Sequence, residues 1–325
     1  MKNRAVERKP LFDNLKFIGI FLVVFAHILE NKFYQSTDTL YRIIYLFHMP
    51  LFIFIAGYFA KFNFKKIVLY LLMPYVVLQT TYSFYEYFNM VRVPTVEYIL
   101  IPRWTLWFLL AMAVWKSSVL LLEKVKRFLP LILIVSTIAG LWFGFLSIEG
   151  KVLSISRIVT MYPYFVLGYY CKQIDFTNIR IFKTIIVKTI LTILSVGLIV
   201  GFLYIFPHAP RRALFNVFMY NQLRNYHMFV RLYMYLAGFV SVLALCCIIP
   251  NKQLGITRFG KHTFSIYILH SMILFFLGEY IFVYKSCFIF KSIILTAILI
   301  VVCVLMELLC KKILRCIKRK IRVDK

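Results

Sequence analysis

Acidic residues are scarce in this chain. Its 325 residues hold 12 Asp and Glu against 39 Lys and Arg, a net charge of +27. Charge of either sign is also thin, at 16% of residues, where an ordinary soluble domain carries about 25%. That excludes a water-soluble monomer. Disorder is excluded by the 62% hydrophobic content, far more than a chain that cannot bury a core. Pairing motifs for cysteine are absent. Cys171, Cys246, Cys247, Cys287, Cys303, Cys310 and Cys316 show no Cys-x-x-Cys or Cys/His spacing, and most sit in apolar runs. Neither a disulfide framework nor a metal site is expected. Repeats, low-complexity segments and a separate soluble domain are missing as well.

What fills the chain is long apolar runs. Ten spans are expected, at about 11–30, 40–60, 66–86, 104–122, 130–148, 153–171, 183–206, 230–249, 262–283 and 287–310, each long enough for a bilayer. The polar, aromatic stretch 207–229 reads as an ordered external loop or interfacial helix. With the N-terminus inside, basic residues favour the inner segments roughly two to one, which predicts both termini cytoplasmic. The fold class is therefore all-α, a polytopic integral membrane protein with about ten transmembrane helices. Residues 1–310 form the transmembrane domain, and 311–325 a basic cytoplasmic tail that lies on the inner leaflet. Each tail cation is worth about 1 kcal/mol near anionic lipid. The basic balance thus points to membrane lipids and not to nucleic acid. Asp13 and Lys16 interrupt the first apolar stretch and no cleavage pattern follows, so it reads as a retained span.

An ionisable side chain within a span costs about 2.5–3.5 kcal/mol and needs a reason. The first span has four: Asp13, Lys16, His27 and Glu30. At about 100° per residue they share one arc of about 100°. That stripe should face the bundle interior or a watery cavity. Asp13 and Lys16 either pair near the inner surface or mark the water boundary. Glu30, three residues from His27, is placed to fix its tautomer, which suits a general base. A structural bond between helices is the other reading of His27. His48, beside Pro50 in the outer half of the second span, either flanks a substrate or caps a proline kink. Trp104 and Trp107 beside Arg103 are interfacial anchors or an edge for stacking a sugar. Thr263, Tyr267, His270 and Ser271 share an arc of the ninth span, with His270 in the inner half, where it serves a donor site or links helices. Arg211 and Arg212 stand in the external loop, against the positive-inside trend. They are placed for an anionic or polyol acceptor, or simply for solvent.

Taken in order, these stretches resemble the acyltransferase-3 family of integral-membrane acyltransferases, in the branch of sugar and polysaccharide O-acetyltransferases similar to fucose 4-O-acetylase. The resemblance rests on Phe12-Asp13-Asn14-Leu15-Lys16 leading to Ala26-His27, Phe47-His48-Met49-Pro50 with Gly57-Tyr58, Leu106-Trp107-Phe108-Leu109, Tyr162-Pro163-Tyr164-Phe165 with Gly168-Tyr169, and Gly260-Lys261-His262 through Tyr267 to His270. It covers about residues 8 to 275. Phe12 stands where Leu is common, and Lys65-Lys66 where many relatives carry arginines. A lysine gives a point charge in place of a planar fork.

The resemblance implies an acyl-CoA donor reached from the cytoplasm and a glycan acceptor. It makes His27 the family's first-span histidine and Asp13 the motif acid. The expected function is O-acyl transfer, acetyl first among acyl groups, to a hydroxyl of a cell-envelope or capsular polysaccharide or its lipid-linked precursor, in the plasma membrane. Acetyl-CoA is a co-substrate, and no tightly bound cofactor or metal is expected. His27, with Asp13 and Glu30, forms the catalytic set. Lys16, Lys65, Lys66 and His270 are donor-binding, and His48, Trp104, Trp107, Arg211 and Arg212 acceptor-binding. A polysaccharide exporter lined by the polar stripes is the alternative.

Overall fold

A lipid-facing apolar run can satisfy its own backbone only as a helix or within a closed barrel. In the computed structural model, which describes residues 9–31, 37–89, 100–277 and 287–323 (317–323 as backbone), the ten runs are helices in the predicted order. They are α1 Pro10–Asn31, α2 Asp38–Tyr58, α3 Phe64–Phe88, α4 Trp107–Lys124, α5 Leu129–Trp142, α6 Ile155–Gln173, α7 Ile185–Ile205, α8 Met228–Ile248, α9 Thr263–Leu277 and α10 Phe288–Val323. The described residues contain no strand. Lys2, Arg4, Arg8, Lys32, Arg92, Lys285 and Lys325, and the end of the ninth predicted span, 278–283, lie outside the described residues.

Eight of these helices are long and apolar enough to cross a membrane. The chain is an all-α polytopic membrane protein. The two predicted spans outside that set differ from it for different reasons. α9 is described for 15 residues. α6 is too polar, with Ser156, Thr160, Pro163 and several tyrosines, and most of these are buried. Its neighbours are other helices, so it needs no apolar coat. α7 is the reverse case: its spanning window is only 6% buried, and its exposed Ile and Val side chains must meet lipid.

Local chemistry sets the helix ends. Pro10 opens α1, where its missing N–H costs nothing. The Asn63 side chain accepts from Lys66 N at 2.9 Å to start α3. Pro74 has no N–H to give the Tyr70 carbonyl, and the turn before it, Val68–Leu72, is a widened π turn. α10 runs unbroken through Val323, so the basic tail continues the last helix.

The chain divides into two compact units, residues 1–44 with 248–325, and residues 45–247. In the first, the 3-10 segment Gly255–His262 lies along the start of α1. Asn14, fully buried, donates to the carbonyls of Pro250 and Lys252, each at 3.1 Å, and accepts from Thr257 Oγ1 at 2.6 Å. A Cβ on Gly260 would stand 1.9 Å from the Asp13 carbonyl oxygen, so this approach requires glycine. His262 Nδ1 meets Glu307 Oε2 at 2.8 Å, and Glu307 also pairs with Lys311, tying the entry of α9 to α10.

In the second unit, α2 and α6 cross in contact. A Cβ on Gly57 would lie 2.0 Å from the Phe165 oxygen, and one on Gly168 1.9 Å from the Phe54 oxygen. Small residues let two membrane helices approach this way. The stretch 207–227 is an ordered loop with short 3-10 turns at Arg211–Phe215 and Tyr220–Gln222. Its anchor is Arg231, fully buried at the start of α8. The guanidinium donates to Tyr226 Oη at 2.8 Å, Gly140 O at 2.9 Å and Phe218 O at 3.0 Å, and lies over the ring of Tyr220. Burial pushes the Tyr220 phenol up to about 12 although Arg231 opposes it, so it stays a donor to the Leu141 carbonyl at 2.9 Å.

Candidate active site

The stripe on α1 is built as a graded face in the first unit. Asp13 is 2% exposed and meets Lys16 Nζ at 3.4 Å, a pair with its acid inside and its cation nearer solvent. About three turns beyond Lys16 lies His27, half-buried, with Glu30 half-buried one turn further on. Between them the helix packs Val23, Val24, Phe25 and Ala26 into the core.

His27 meets His270. Nδ1 of His27 lies 3.1 Å from Nε2 of His270, and the rings are parallel within 6° at a centroid separation of 5.4 Å. That separation is the nitrogen–nitrogen distance plus the two ring radii. The imidazoles therefore lie edge to edge in nearly one plane, and the contact is a hydrogen bond along a ring lone pair. His270 is fully buried, and its Nδ1 sits 2.7 Å from the Ile266 carbonyl.

His270 of α9 stands level with His27 of α1. The cause is the docking of 255–262 on α1, which pins Gly260 against Asp13. From that anchor α1 rises about 21 Å to His27, and the 3-10 turn with α9 rises about 16 Å to His270, so their side chains reach each other. His270 thus engages Nδ1 of His27.

The acceptor candidates lie in the second unit, and several share one cluster. His48 is 2% exposed, and its ring meets Tyr45 edge-on at 4.6 Å. Tyr45 packs on Phe215 at 5.5 Å. The Phe215 carbonyl accepts from Arg157 Nε at 3.0 Å, and the same guanidinium lies 4.7 Å over Trp107. The chain of contacts thus joins His48, Trp107 and the turn that carries Arg211 and Arg212. Arg211 is half-buried and Arg212 exposed. Trp104 is half-buried on a left-handed backbone (φ 38°), a conformation a bulky residue adopts only under constraint. Arg103 pairs with Glu86 at 2.8 Å. A small cavity of about 10 Å³, room for about one water, lies among Tyr45, Pro50, Thr160, Asn216 and Arg231.

Of the donor candidates, Lys16 belongs to the first unit, and Lys65 and Lys66 are exposed at the start of α3 in the second. Two further lysines join them. Lys116 of α4 lies within electrostatic range of Lys66, and Lys172 donates to the Ala60 carbonyl at 3.2 Å near Lys61. Among the described residues no group of three His, Cys, Asp or Glu side chains is arranged to hold a metal.

Sequence reasoning missed Asn14, Arg157 and Arg231, whose partners lie 236–243, 58 and up to 91 residues away. The one signal in the chain was a polar residue inside an apolar run, which holds for Asn14 and Arg157. Lys116 carried the same signal.

The fold and this site define a polytopic membrane protein with an imidazole pair held between its helices. The acyltransferase-3 family model, described as an acyltransferase domain, matches residues 10–308, nearly the whole chain. The chain belongs to the acyltransferase-3 family. It is also similar to nodulation protein NolL of Sinorhizobium fredii, 44% identical over 62 residues, 18% of this chain and 17% of that protein. With NolL of Mesorhizobium japonicum it shares 44% identity over 55 residues, 15% of each chain. These alignments span less than a fifth of the curated relatives' length. No solved structure matches the chain.

Proposed function

We propose that the chain transfers an acyl group, acetyl first among candidates, from acyl-CoA at the cytoplasmic face to a hydroxyl of a cell-envelope or capsular polysaccharide or its lipid-linked precursor, in the plasma membrane. The observation that carries this is the ring contact of His27 with a buried imidazole inside an acyltransferase-3 domain. His27 takes the proton of the acceptor hydroxyl as its oxygen attacks the thioester carbonyl. The new C–O bond forms as the C–S bond breaks, and the CoA thiolate leaves and takes a proton. Asp13 and Lys16 hold the lower part of the stripe in place. The cationic end formed by Lys61, Lys65, Lys66 and Lys116 suits the donor's phosphates as point charges. The cluster of His48, Trp107 and the turn bearing Arg211 and Arg212 suits a polyol, with Trp104 beside it offering an aromatic face.

The test is proton NMR of surface polysaccharide from cells with the gene, without it, and with His27→Ala. The reading expects an O-acyl signal that disappears in both altered strains. Full acylation in the His27→Ala strain would overturn the role of His27. Unchanged acylation with less surface glycan in the deletion strain would point instead to export.

A further inference from the structure

The geometry points to His270 as a positioning residue that sets the tautomer of His27. The inference rests on the reading of His27 as the base. Ile266 O can only accept, and His270 Nδ1 lies 2.7 Å from it, so that nitrogen carries a proton. His270 is fully buried. Among the described residues its partners are the Ile266 carbonyl, the backbone and ring of Tyr267, and His27, and none of them is an anion. A buried charge without a counter-ion is expensive, so the imidazole is held neutral with its one proton on Nδ1. Its Nε2 then bears a lone pair.

Two lone pairs do not face each other at 3.1 Å in a shared plane. Nδ1 of His27, at that distance from His270 Nε2, therefore carries the proton. A neutral His27 with Nδ1 protonated has its lone pair on Nε2, the nitrogen on the opposite side of the ring. The direction of the relay thus runs from one backbone carbonyl on α9, through His270, to the basic nitrogen of His27. A carboxylate performs this task for the histidine of hydrolase triads, where loss of the correct tautomer costs about 10⁴ in turnover. Here a neutral imidazole performs it, with the advantage that no charge is buried between the helices.

The test compares His270→Leu, which removes the acceptor, with His270→Gln, whose side-chain oxygen can take the place of Nε2. Turnover is read as CoA release from acetyl-CoA by purified protein in detergent, with de-O-acylated envelope polysaccharide as acceptor. Detergent size-exclusion profiles confirm equal folded protein. Turnover at saturating substrate should fall at least 100-fold in His270→Leu and stay within about tenfold of the native rate in His270→Gln, while the half-saturating acetyl-CoA concentration does not change. Nitrogen-15 spectra of histidine-labelled protein give a readout independent of turnover. The His27 signals, assigned by difference against His27→Ala, should show an unprotonated Nε2 in the native chain and His270→Gln, and mixed tautomers in His270→Leu. Equal loss in both His270 variants with unchanged His27 signals would overturn the inference, as would an active His270→Leu beside an inactive His27→Ala. An active His27→Ala would instead sink the reading of His27 as the base.

Discussion

Asn14 shows how much one side chain can hold in an apolar setting. Its amide bonds two carbonyls and a hydroxyl from the segment 250–257. Asn14→Ala leaves those groups buried without partners, at about 1–3 kcal/mol each where water cannot reach. We expect a loss of about 3 kcal/mol or more, read as a lowered unfolding temperature in detergent, together with weaker turnover because α9 loses its register on α1. Asn14→Asp should not rescue it, since the two carbonyls then face a carboxylate. Asp13 and His27 were legible in the sequence because an ionisable group in a span always demands a reason. Asn14 was not, because it carries no charge and its partners lie more than 230 residues away. The His27–His270 contact was hidden for a related reason. The spacing within each helix was readable, but the relative height of α1 and α9 depends on Gly260 lying against Asp13.

At the scale of the element, the glycines in Gly57-Tyr58 and Gly168-Tyr169 have a packing role. Each Cβ would overlap the backbone oxygen of the opposing helix, and backbone cannot turn aside as a side chain can. Gly168→Ala must separate α2 from α6. It should cost about 3 kcal/mol or more and sharply reduce the folded protein recovered from membranes. Gly197→Ala in α7 is the matched control. Nothing lies within 4 Å of its added Cβ, and its effect should stay within about 0.5 kcal/mol. Fluorescence-detected size exclusion of the two variants checks both. The number and order of helices were legible because apolar runs of span length have few alternatives. The π turn Val68–Leu72 was not, since Pro74 announces a perturbation but not its form. The polarity of α6 was visible, but its physical meaning came only with its buried setting.

For the whole molecule, the positions of the cysteines turn membrane orientation into a labelling prediction. α10 offers a direct measure with cysteines already present. Cys287 precedes the helix and Cys316 lies in its last turns, and both are exposed. They are separated by about 29 residues of unbroken helix, or roughly 44 Å. The hydrocarbon core is only about 30 Å thick, so if α10 spans, the two thiols stand on opposite sides. The excess of basic residues predicts a cytoplasmic Cys316 end. A membrane-impermeant maleimide on intact cells should therefore label a variant retaining Cys287 alone and spare one retaining Cys316 alone. Permeabilised cells should show both. Cys171, Cys246, Cys247 and Cys303 are buried and should stay unlabelled in the folded protein. Labelling of Cys316 but not Cys287 from outside would invert the topology, and with it the face from which acyl-CoA enters. Labelling of both from outside would mean that α10 does not cross, in conflict with an 18-residue stretch of mean hydropathy 3.0 within Phe288–Cys316. The expected pattern places the polybasic end of α10 on the side where the donor is found, next to anionic lipid that holds each cation by about 1 kcal/mol.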